Sequence, residues 1–112
     1  MSYFVYLLTS NIKPNWIYTG FTYNPHGRLV EHNAGNVPST RPFKPFKMYV
    51  VKELDSKKEA LRSEASLKKS SSRKKKLLEA GDFRDVFEYA LDKEIEEEFD
   101  AAEEEASQEQ EH

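Results

Sequence analysis

Two short runs rich in β-branched and aromatic residues open the chain, at residues 3–8 (YFVYLL) and 16–21 (WIYTGF). The segment between them, residues 10–15, contains a proline and two asparagines, which are typical turn residues. Together the three segments predict a β-hairpin. The first run is apolar on both of its faces instead of alternating, so neither face is suited to water. The sequence therefore predicts a sheet that is covered, at least in part, on both faces.

Tyr6 and Tyr18 are predicted to lie on the same face of this hairpin. Side chains at alternate positions of a strand point the same way, so Tyr18 shares a face with Gly20. When the two strands pair, that face and the face that carries Tyr6 can lie on the same side of the hairpin. Taken alone, each tyrosine is more often a core aromatic whose hydroxyl reaches the rim of the core.

A helix is predicted to follow the hairpin, with Asn24 as its N-cap and Pro25 in its first turn. It is expected to run to about Asn33. Arg28 and His32 are four positions apart and therefore lie on one face of this helix. Taken alone, a surface helix arginine and a packed histidine are the ordinary readings of this pair.

A third strand is predicted at residues 47–54 (KMYVVKEL), and a second helix after it. Ser56 and Glu59 have the spacing of a capping box, and the helix should continue to about Lys69. Glu64 falls near the middle of the apolar stripe of this helix. Burying an unpaired carboxylate costs several kcal/mol. Glu64 therefore needs a cation, a metal ion or a water-filled cleft beside it.

The last part of the chain differs from the rest in its charge. Residues 1–80 hold 15 Lys/Arg and 6 Asp/Glu, whereas residues 81–112 hold 2 and 14. A short basic helix is predicted at residues 73–80 and an amphipathic helix at residues 83–99, with an acidic end after Asp100. The predicted division is a body at 1–80 and an acidic helix and tail at 81–112. A basic body favours a polyanionic partner, and two solvated surfaces are the alternative.

Composition excludes several classes of protein. The chain has no cysteine, so it has neither disulfides nor a thiolate zinc site. No apolar run approaches the roughly 18–20 residues of a membrane span, and no secretory signal is evident. An intracellular setting, cytoplasmic or nuclear, is therefore expected.

Taken in order along the chain, these features resemble the GIY-YIG endonuclease superfamily. Residues 4–6 (Phe-Val-Tyr) stand where that family has Gly-Ile-Tyr, and residues 18–20 (Tyr-Thr-Gly) where it has Tyr-Ile-Gly. Residues 28–33 (RLVEHN) resemble its arginine helix, and residues 59–64 (EALRSE) the helix that carries its metal-binding glutamate. The resemblance covers about residues 2–78 and is closest to small stand-alone members and to the catalytic domain of structure-selective, junction-cutting nucleases. It implies an α+β fold with a small three-stranded, mainly antiparallel sheet flanked by helices, to which the C-terminal amphipathic helix is added.

The resemblance implies an endonuclease that cuts DNA with one divalent ion, Mg²⁺ or Mn²⁺, held by Glu64. Tyr6 would orient the attacking water or act on it as a general base, although a phenol with an ordinary pKa of about 10 is a poor base at neutral pH. Tyr18 would orient the water or the phosphate, and Arg28 would hold the scissile phosphate. His32 would assist proton transfer or bind phosphate. A structural glutamate paired with an arginine or a lysine is the alternative for Glu64.

Further residues are expected to contact the DNA backbone. Gly20 would permit close approach at the end of its strand, and Arg41 lies in a loop suited to a phosphate contact. The others would form a basic track made of Lys68, Lys69, Arg73, Lys74, Lys75 and Lys76.

Three functions are compatible with this pattern. The leading interpretation is a metal-dependent endonuclease acting on branched, nicked or damaged DNA. The second is a non-catalytic nucleic-acid-binding module that keeps the same fold. The third is an interaction protein that uses its acidic C-terminal helix to bind a protein partner or a second copy of itself.

Overall fold

The computed structural model describes residues 1–86, which form one antiparallel sheet with helices on both faces. In chain order the elements are β1 (Tyr3–Ser10), β2 (Ile17–Thr22), α1 (Pro25–Asn33), a short 3₁₀ helix (Arg41–Phe43), β3 (Phe46–Leu54), α2 (Lys57–Lys68), α3 (Ser71–Ala80) and β4 (Arg84–Val86). The mixed α and β character, the N-terminal hairpin and the two predicted helices around Arg28 and Glu64 are confirmed.

The strand order in the sheet is β2-β1-β3-β4, so β1 is central and β2 forms one edge. Tyr6 of β1 lies opposite Gly20 of β2 on one side and Val50 of β3 on the other. The pairing of β1 with β3 shifts register between Val5 and Tyr6. An irregularity of this kind re-aims the side chains beside it, and here it comes directly before Tyr6.

Both faces of the sheet are covered, as the lack of alternation in the first strand predicts. Tyr6 packs with Leu29 of α1 on one face. Leu7 points the other way and packs with Ala60 and Leu67 of α2. Each fully buried aliphatic side chain contributes about 1.5–3 kcal/mol relative to leaving it exposed. The helices α1 and α2 therefore stabilise the sheet from opposite faces.

Side-chain caps set where the helices begin. Asn24 and Ser56 cap α1 and α2, as their positions in the sequence predict. Ser70 caps α3, because its hydroxyl accepts a hydrogen bond from the backbone N–H of Arg73 at 3.3 Å. As a result α3 begins two residues earlier than the sequence predicts. Gly81 ends α3 in the left-handed conformation, with φ of 75°.

The sheet has one strand more than the sequence predicts. The sequence predicts that residues 84–86 lie in the final helix, and that prediction is wrong for this segment. It forms β4 and pairs with β3. Val86 lies opposite Met48 and joins the core on the Tyr6 face of the sheet. Arg84 forms an ion pair with Glu53 at 3.5 Å. The apolar residues of this segment have helical spacing, but the edge of the sheet at β3 is close enough to pair with it. Spacing along the sequence does not record that tertiary contact.

The remainder of the predicted C-terminal helix and the acidic end lie outside the described residues. The division of the chain at residue 80 stays a prediction. Within residues 1–86, no helix combines the length and the apolar character needed to cross a bilayer.

Candidate active site

Tyr6, Arg28 and His32 meet in one cluster on the face of the sheet that α1 covers. The Tyr6 hydroxyl oxygen lies 2.9 Å from Nε2 of His32, and Nε of Arg28 donates to the same oxygen at 3.4 Å. All three side chains are fully buried. The predicted shared helical face of Arg28 and His32 is confirmed, and it is what brings both side chains to Tyr6.

This environment keeps His32 neutral. Burial lowers the pKa of its imidazole well below the ordinary value of 6.5, and the positive charge of Arg28 lowers that pKa further. A neutral imidazole has one N–H donor and one bare nitrogen that accepts. At neutral pH His32 can therefore take up a proton at one nitrogen while it donates a hydrogen bond from the other.

Tyr18 lies beside the cluster, which confirms that the two tyrosines share a face of the hairpin. Its ring centroid is 6.4 Å from that of Tyr6 and 5.4 Å from that of His32. Gly20 lies opposite Tyr6, and a Cβ built at Gly20 would come within 2.5 Å of the Tyr6 hydroxyl oxygen. The missing side chain of Gly20 thus makes room for the Tyr6 phenol, a use that the sequence did not reveal. Its contact with DNA stays a prediction.

Thr40 belongs to the same network, although the sequence did not single it out. It is fully buried in the loop between α1 and β3. Its Oγ1 lies 2.8 Å from Nδ1 of His32 and 3.4 Å from the carbonyl oxygen of Val37. Residues 36–46 contain three prolines and suggest only an irregular connection. A loop residue carries no periodic signal, so only the tertiary contact identifies Thr40.

A layer of aromatic side chains surrounds the cluster. The sequence alone did not predict this layer. The ring of Phe46 meets the ring of His32 edge-on, with centroids 5.8 Å apart. Trp16 lies 4.9 Å from Phe43 and 6.2 Å from Tyr18 between ring centroids. Apolar surroundings of this kind disfavour a charged imidazole, so the aromatic layer contributes to the burial that lowers the pKa of His32.

Glu64 is buried in α2, as its position in the apolar stripe predicts. The residue is 4% exposed, and its Oε2 has no hydrogen-bond partner among residues 1–86. Burial raises the pKa of this carboxyl above its ordinary value of 4.5, and the positive charge of Lys68 opposes that shift without cancelling it. A buried oxygen that no donor satisfies fits the oxygen ligands that Mg²⁺ prefers.

The Tyr6 cluster and the helix that carries Glu64 lie on different faces of the sheet. The helix that carries Glu64 packs on the face of Leu7, whereas Tyr6 points to the other face. In the described part of the chain, no three His, Asp or Glu side chains lie together as a metal-binding group. The two tyrosines, Arg28 and His32 thus form one cluster, and Glu64 is carried by the helix that covers the opposite face of the sheet.

The residues predicted to contact DNA are not alike in exposure. Arg41 is exposed, and its Nε donates to the carbonyl oxygen of Gly35 at 2.7 Å, which holds it against its own loop. Lys74 is largely buried, and its pKa is lowered by burial and then by the charge of Lys68. The remaining side chains of the predicted basic track are exposed: Lys68, Lys69, Arg73, Lys75 and Lys76.

Comparison with known proteins identifies the family of this chain. The model of the GIY-YIG catalytic domain family matches residues 2–77, which is more than half of the chain. The chain therefore belongs to the GIY-YIG family, a class of endonuclease domains. The resemblance inferred from the two tyrosine strands, the arginine helix and the glutamate helix is confirmed.

Two bacterial relatives are similar over most of the same region. A UPF0213 protein of Syntrophus aciditrophicus (strain SB) is 36% identical over 74 residues, which cover 64% of this chain and 83% of the relative. A UPF0213 protein of Staphylococcus haemolyticus (strain JCSC1435) is 34% identical over 74 residues, which cover 65% of this chain and 88% of the relative. No solved structure matched the chain.

Proposed function

We propose that this protein is a metal-dependent endonuclease that hydrolyses phosphodiester bonds of DNA, at branched or damaged sites. The observation that carries the proposal is the contact between Tyr6 and His32, in which a phenol lies 2.9 Å from a neutral imidazole. The guanidinium of Arg28 is hydrogen-bonded to the same phenol. Such a group can move a proton and stabilise negative charge, and phosphodiester hydrolysis needs both. Membership of the GIY-YIG family supports the same class of reaction.

Tyr6 and His32 form the proposed path for the proton of the attacking water. The Tyr6 oxygen takes that proton while the hydrogen of the Tyr6 hydroxyl passes to Nε2 of His32. The water oxygen bonds to phosphorus, the bond from phosphorus to the leaving oxygen breaks, and that oxygen takes a proton from solvent water, to which His32 later releases its own. A neutral phenol is a poor base. Tyr6 can accept the proton of the water because it passes its own hydroxyl proton to His32. The positive charge of Arg28 stabilises the negative charge that develops on the Tyr6 oxygen.

Arg28 and Tyr18 are proposed to act on the phosphate. A guanidinium matches the oxygens of a phosphate in geometry and in charge, so Arg28 offsets the negative charge that grows there in the transition state. Tyr18, whose ring lies beside those of Tyr6 and His32, orients the water or the phosphate through its hydroxyl. The same cluster would thus accept the proton of the attacking water and stabilise the negative charge on the phosphate.

Glu64 is proposed to hold the divalent ion, Mg²⁺ or Mn²⁺. Its buried Oε2, which no donor in the described chain satisfies, supports this assignment. One protein carboxylate can suffice, because Mg²⁺ keeps several waters and takes substrate phosphate as a further ligand. An ion bound there would supply Lewis-acid stabilisation of the phosphate oxygens.

DNA is proposed to bind along the exposed basic residues at the end of α2 and on α3. Lysines and arginines that neutralise phosphates release counterions, which gives affinity that falls with salt. The excess of Lys/Arg over Asp/Glu in residues 1–80, 15 against 6, supports a polyanionic partner. The preference for branched or damaged sites rests on the resemblance to structure-selective nucleases.

A second candidate function, a non-catalytic nucleic-acid-binding module, is favoured by one observation. Tyr6, Arg28 and His32 are fully buried, whereas a cleavage site must admit water and a phosphate. The nuclease proposal therefore requires DNA binding to open the cluster. For a binding module, the same three residues would be a polar part of the core.

Cleavage assays distinguish the two candidates. Labelled flaps, junctions and intact duplexes are incubated with Mg²⁺ or Mn²⁺, and in parallel with a chelator. We expect metal-dependent cuts, with the branched substrates cleaved faster than the duplex. Glu64→Gln, purified in the same way, controls for contaminating nucleases. A protein that binds these DNAs and leaves them intact under every metal condition is a binding module.

A further inference from the structure

We infer that Thr40 is a positioning residue, which fixes the tautomer of His32 so that Nε2 is the acceptor of the Tyr6 proton. The inference rests on the proposed function, in which His32 takes up that proton. Thr40 lies eight positions after His32, in the loop that leads to the 3₁₀ helix, and it is fully buried. It extends the site beyond the residues that the sequence singled out.

Only one of the two neutral tautomers of His32 can serve the proposed transfer. With its hydrogen on Nδ1, the imidazole has a bare Nε2 that accepts from Tyr6. With its hydrogen on Nε2, it donates to Tyr6 and cannot take the Tyr6 proton. The tautomer of a histidine is set by the group that faces the other ring nitrogen. For His32 that group is Oγ1 of Thr40, 2.8 Å from Nδ1.

The contacts of Thr40 are compatible with the hydrogen on Nδ1. The hydroxyl of Thr40 has one hydrogen, and the carbonyl oxygen of Val37, 3.4 Å from Oγ1, can only accept. When that hydrogen points to Val37, the oxygen of Thr40 is left to accept from Nδ1–H of His32. In the opposite arrangement the hydrogen of Thr40 points to Nδ1, and the Val37 carbonyl is satisfied by the backbone N–H groups of Thr40 and Arg41, so the other end of the network decides between the two.

The Tyr6 end of the network favours the same tautomer. Nε of Arg28 donates to the Tyr6 oxygen, because a guanidinium has no acceptor. A phenol oxygen that accepts one hydrogen bond can still donate its own hydrogen, and Nε2 of His32, 2.9 Å away, is placed to accept it. The hydrogen bonds then all point one way, from Arg28 through Tyr6, His32 and Thr40 to the carbonyl of Val37. Bonds aligned in this manner polarise and strengthen one another.

Nitrogen-15 NMR of the imidazole tests the inference directly, because protonated and bare ring nitrogens differ strongly in chemical shift. The signals of His32 are separated from those of His26 and His112 by their loss in His32→Gln. We expect hydrogen on Nδ1 in the parent and in Thr40→Ser, which keeps the hydroxyl. Thr40→Val keeps the shape without the hydroxyl and should populate the tautomer with hydrogen on Nε2. If the valine variant fails to fold, Thr40→Ala also removes the hydroxyl and can be used in its place.

Cleavage gives a second readout for the same variants. Thr40→Val should lower the single-turnover rate by about 100-fold, the lower end of what general acid–base groups contribute. Thr40→Ser should restore most of the rate, and both variants should bind DNA as the parent does. A parent with hydrogen on Nε2, or a Thr40→Val protein with an unchanged tautomer, would overturn the inference. The NMR outcomes do not depend on cleavage, so an inactive parent refutes the nuclease proposal and leaves the test of Thr40 intact.

Discussion

The hydroxyl oxygen of Tyr6 and Nε2 of His32 lie 2.9 Å apart inside a fully buried cluster. The contact joins the central strand of the sheet to the helix that covers it. It can carry a proton only while His32 is neutral, and burial together with the charge of Arg28 keeps it neutral. The chemistry proposed for the protein therefore depends on the packing of the core around these two residues.

Acidification is expected to destabilise the fold through His32. The pKa of this imidazole is well below 6.5 in the folded protein, so the unfolded chain takes up the proton first as the pH falls. The contribution of neutral His32 to stability is complete above about pH 6.5, and below it up to about 1.4 kcal/mol is lost per pH unit. Urea unfolding across this range, with His32→Gln as the control, measures the effect. Parallel losses in parent and variant would assign the acid sensitivity to other groups.

Gly20→Ala is expected to disturb the contact between Tyr6 and His32. The added Cβ would lie 2.5 Å from the Tyr6 hydroxyl oxygen and 2.6 Å from the ring carbon that bears it, so the phenol must move. Overpacking of this kind costs about 1–3 kcal/mol. We expect lower thermal stability, shifted imidazole signals of His32 and slower cleavage.

Gly81→Ala is the matched control for that prediction. Gly81 has φ of +75° and no atom within 4 Å of an added Cβ, so alanine there brings backbone strain alone. It should lower stability while the His32 signals and the cleavage rate stay at parent values. Equal effects of the two substitutions on cleavage would mean that Gly20 acts only through stability.

Glu64→Gln is expected to be more stable than the parent in metal-free buffer at neutral pH. The pKa of Glu64 is raised from 4.5 in the folded state, so the folded protein holds this proton more tightly than the unfolded chain does. Stability is therefore lost as the pH rises from about 4.5 through the folded pKa, and glutamine avoids that loss. Thermal unfolding should show the advantage at neutral pH and a smaller one near pH 4.5. A variant that is less stable than the parent at neutral pH would indicate a structural partner for the carboxylate.

The acidic end of the chain is expected to weaken DNA binding. Residues 81–112 hold 14 Asp/Glu and 2 Lys/Arg, in contrast to the basic body. A tethered acidic segment competes with DNA phosphates for the same lysines and arginines. Removal of residues 100–112 should tighten non-specific binding, most of all at low salt, where screening is least. DNA affinity measured against salt for both lengths decides this, and equal affinities at low salt would leave the tail a solubility or partner-binding segment.

Features that repeat along one element could be predicted from the sequence. Arg28 and His32 are four apart in a capped helix, so their shared face follows from helix geometry alone. The anomaly of Glu64 follows from its place in an apolar stripe, and its burial is confirmed. The hairpin follows from two β-rich runs around a turn, and the place of Tyr6 beside Tyr18 follows from the two-residue period of a strand.

Features that depend on contacts between distant elements could not be predicted. β4 forms because the open side of β3 is close to the chain after Gly81, and no local pattern records that distance. Thr40 meets His32 because of the path of an irregular loop. The burial of Lys74 among exposed basic neighbours likewise depends on how α3 packs. In each case a tertiary contact overrides what the neighbouring residues favour.

Single-turnover cleavage of a labelled branched DNA by the parent and by Tyr6→Phe tests the central claim most directly. The phenylalanine variant keeps the ring and its packing and removes only the hydroxyl that contacts His32. With Mg²⁺ or Mn²⁺, the parent should cut, and Tyr6→Phe should bind the DNA equally well and cut at least about 100-fold more slowly. A Tyr6→Phe protein that cleaves at the parent rate would contradict the proton path through Tyr6 and His32.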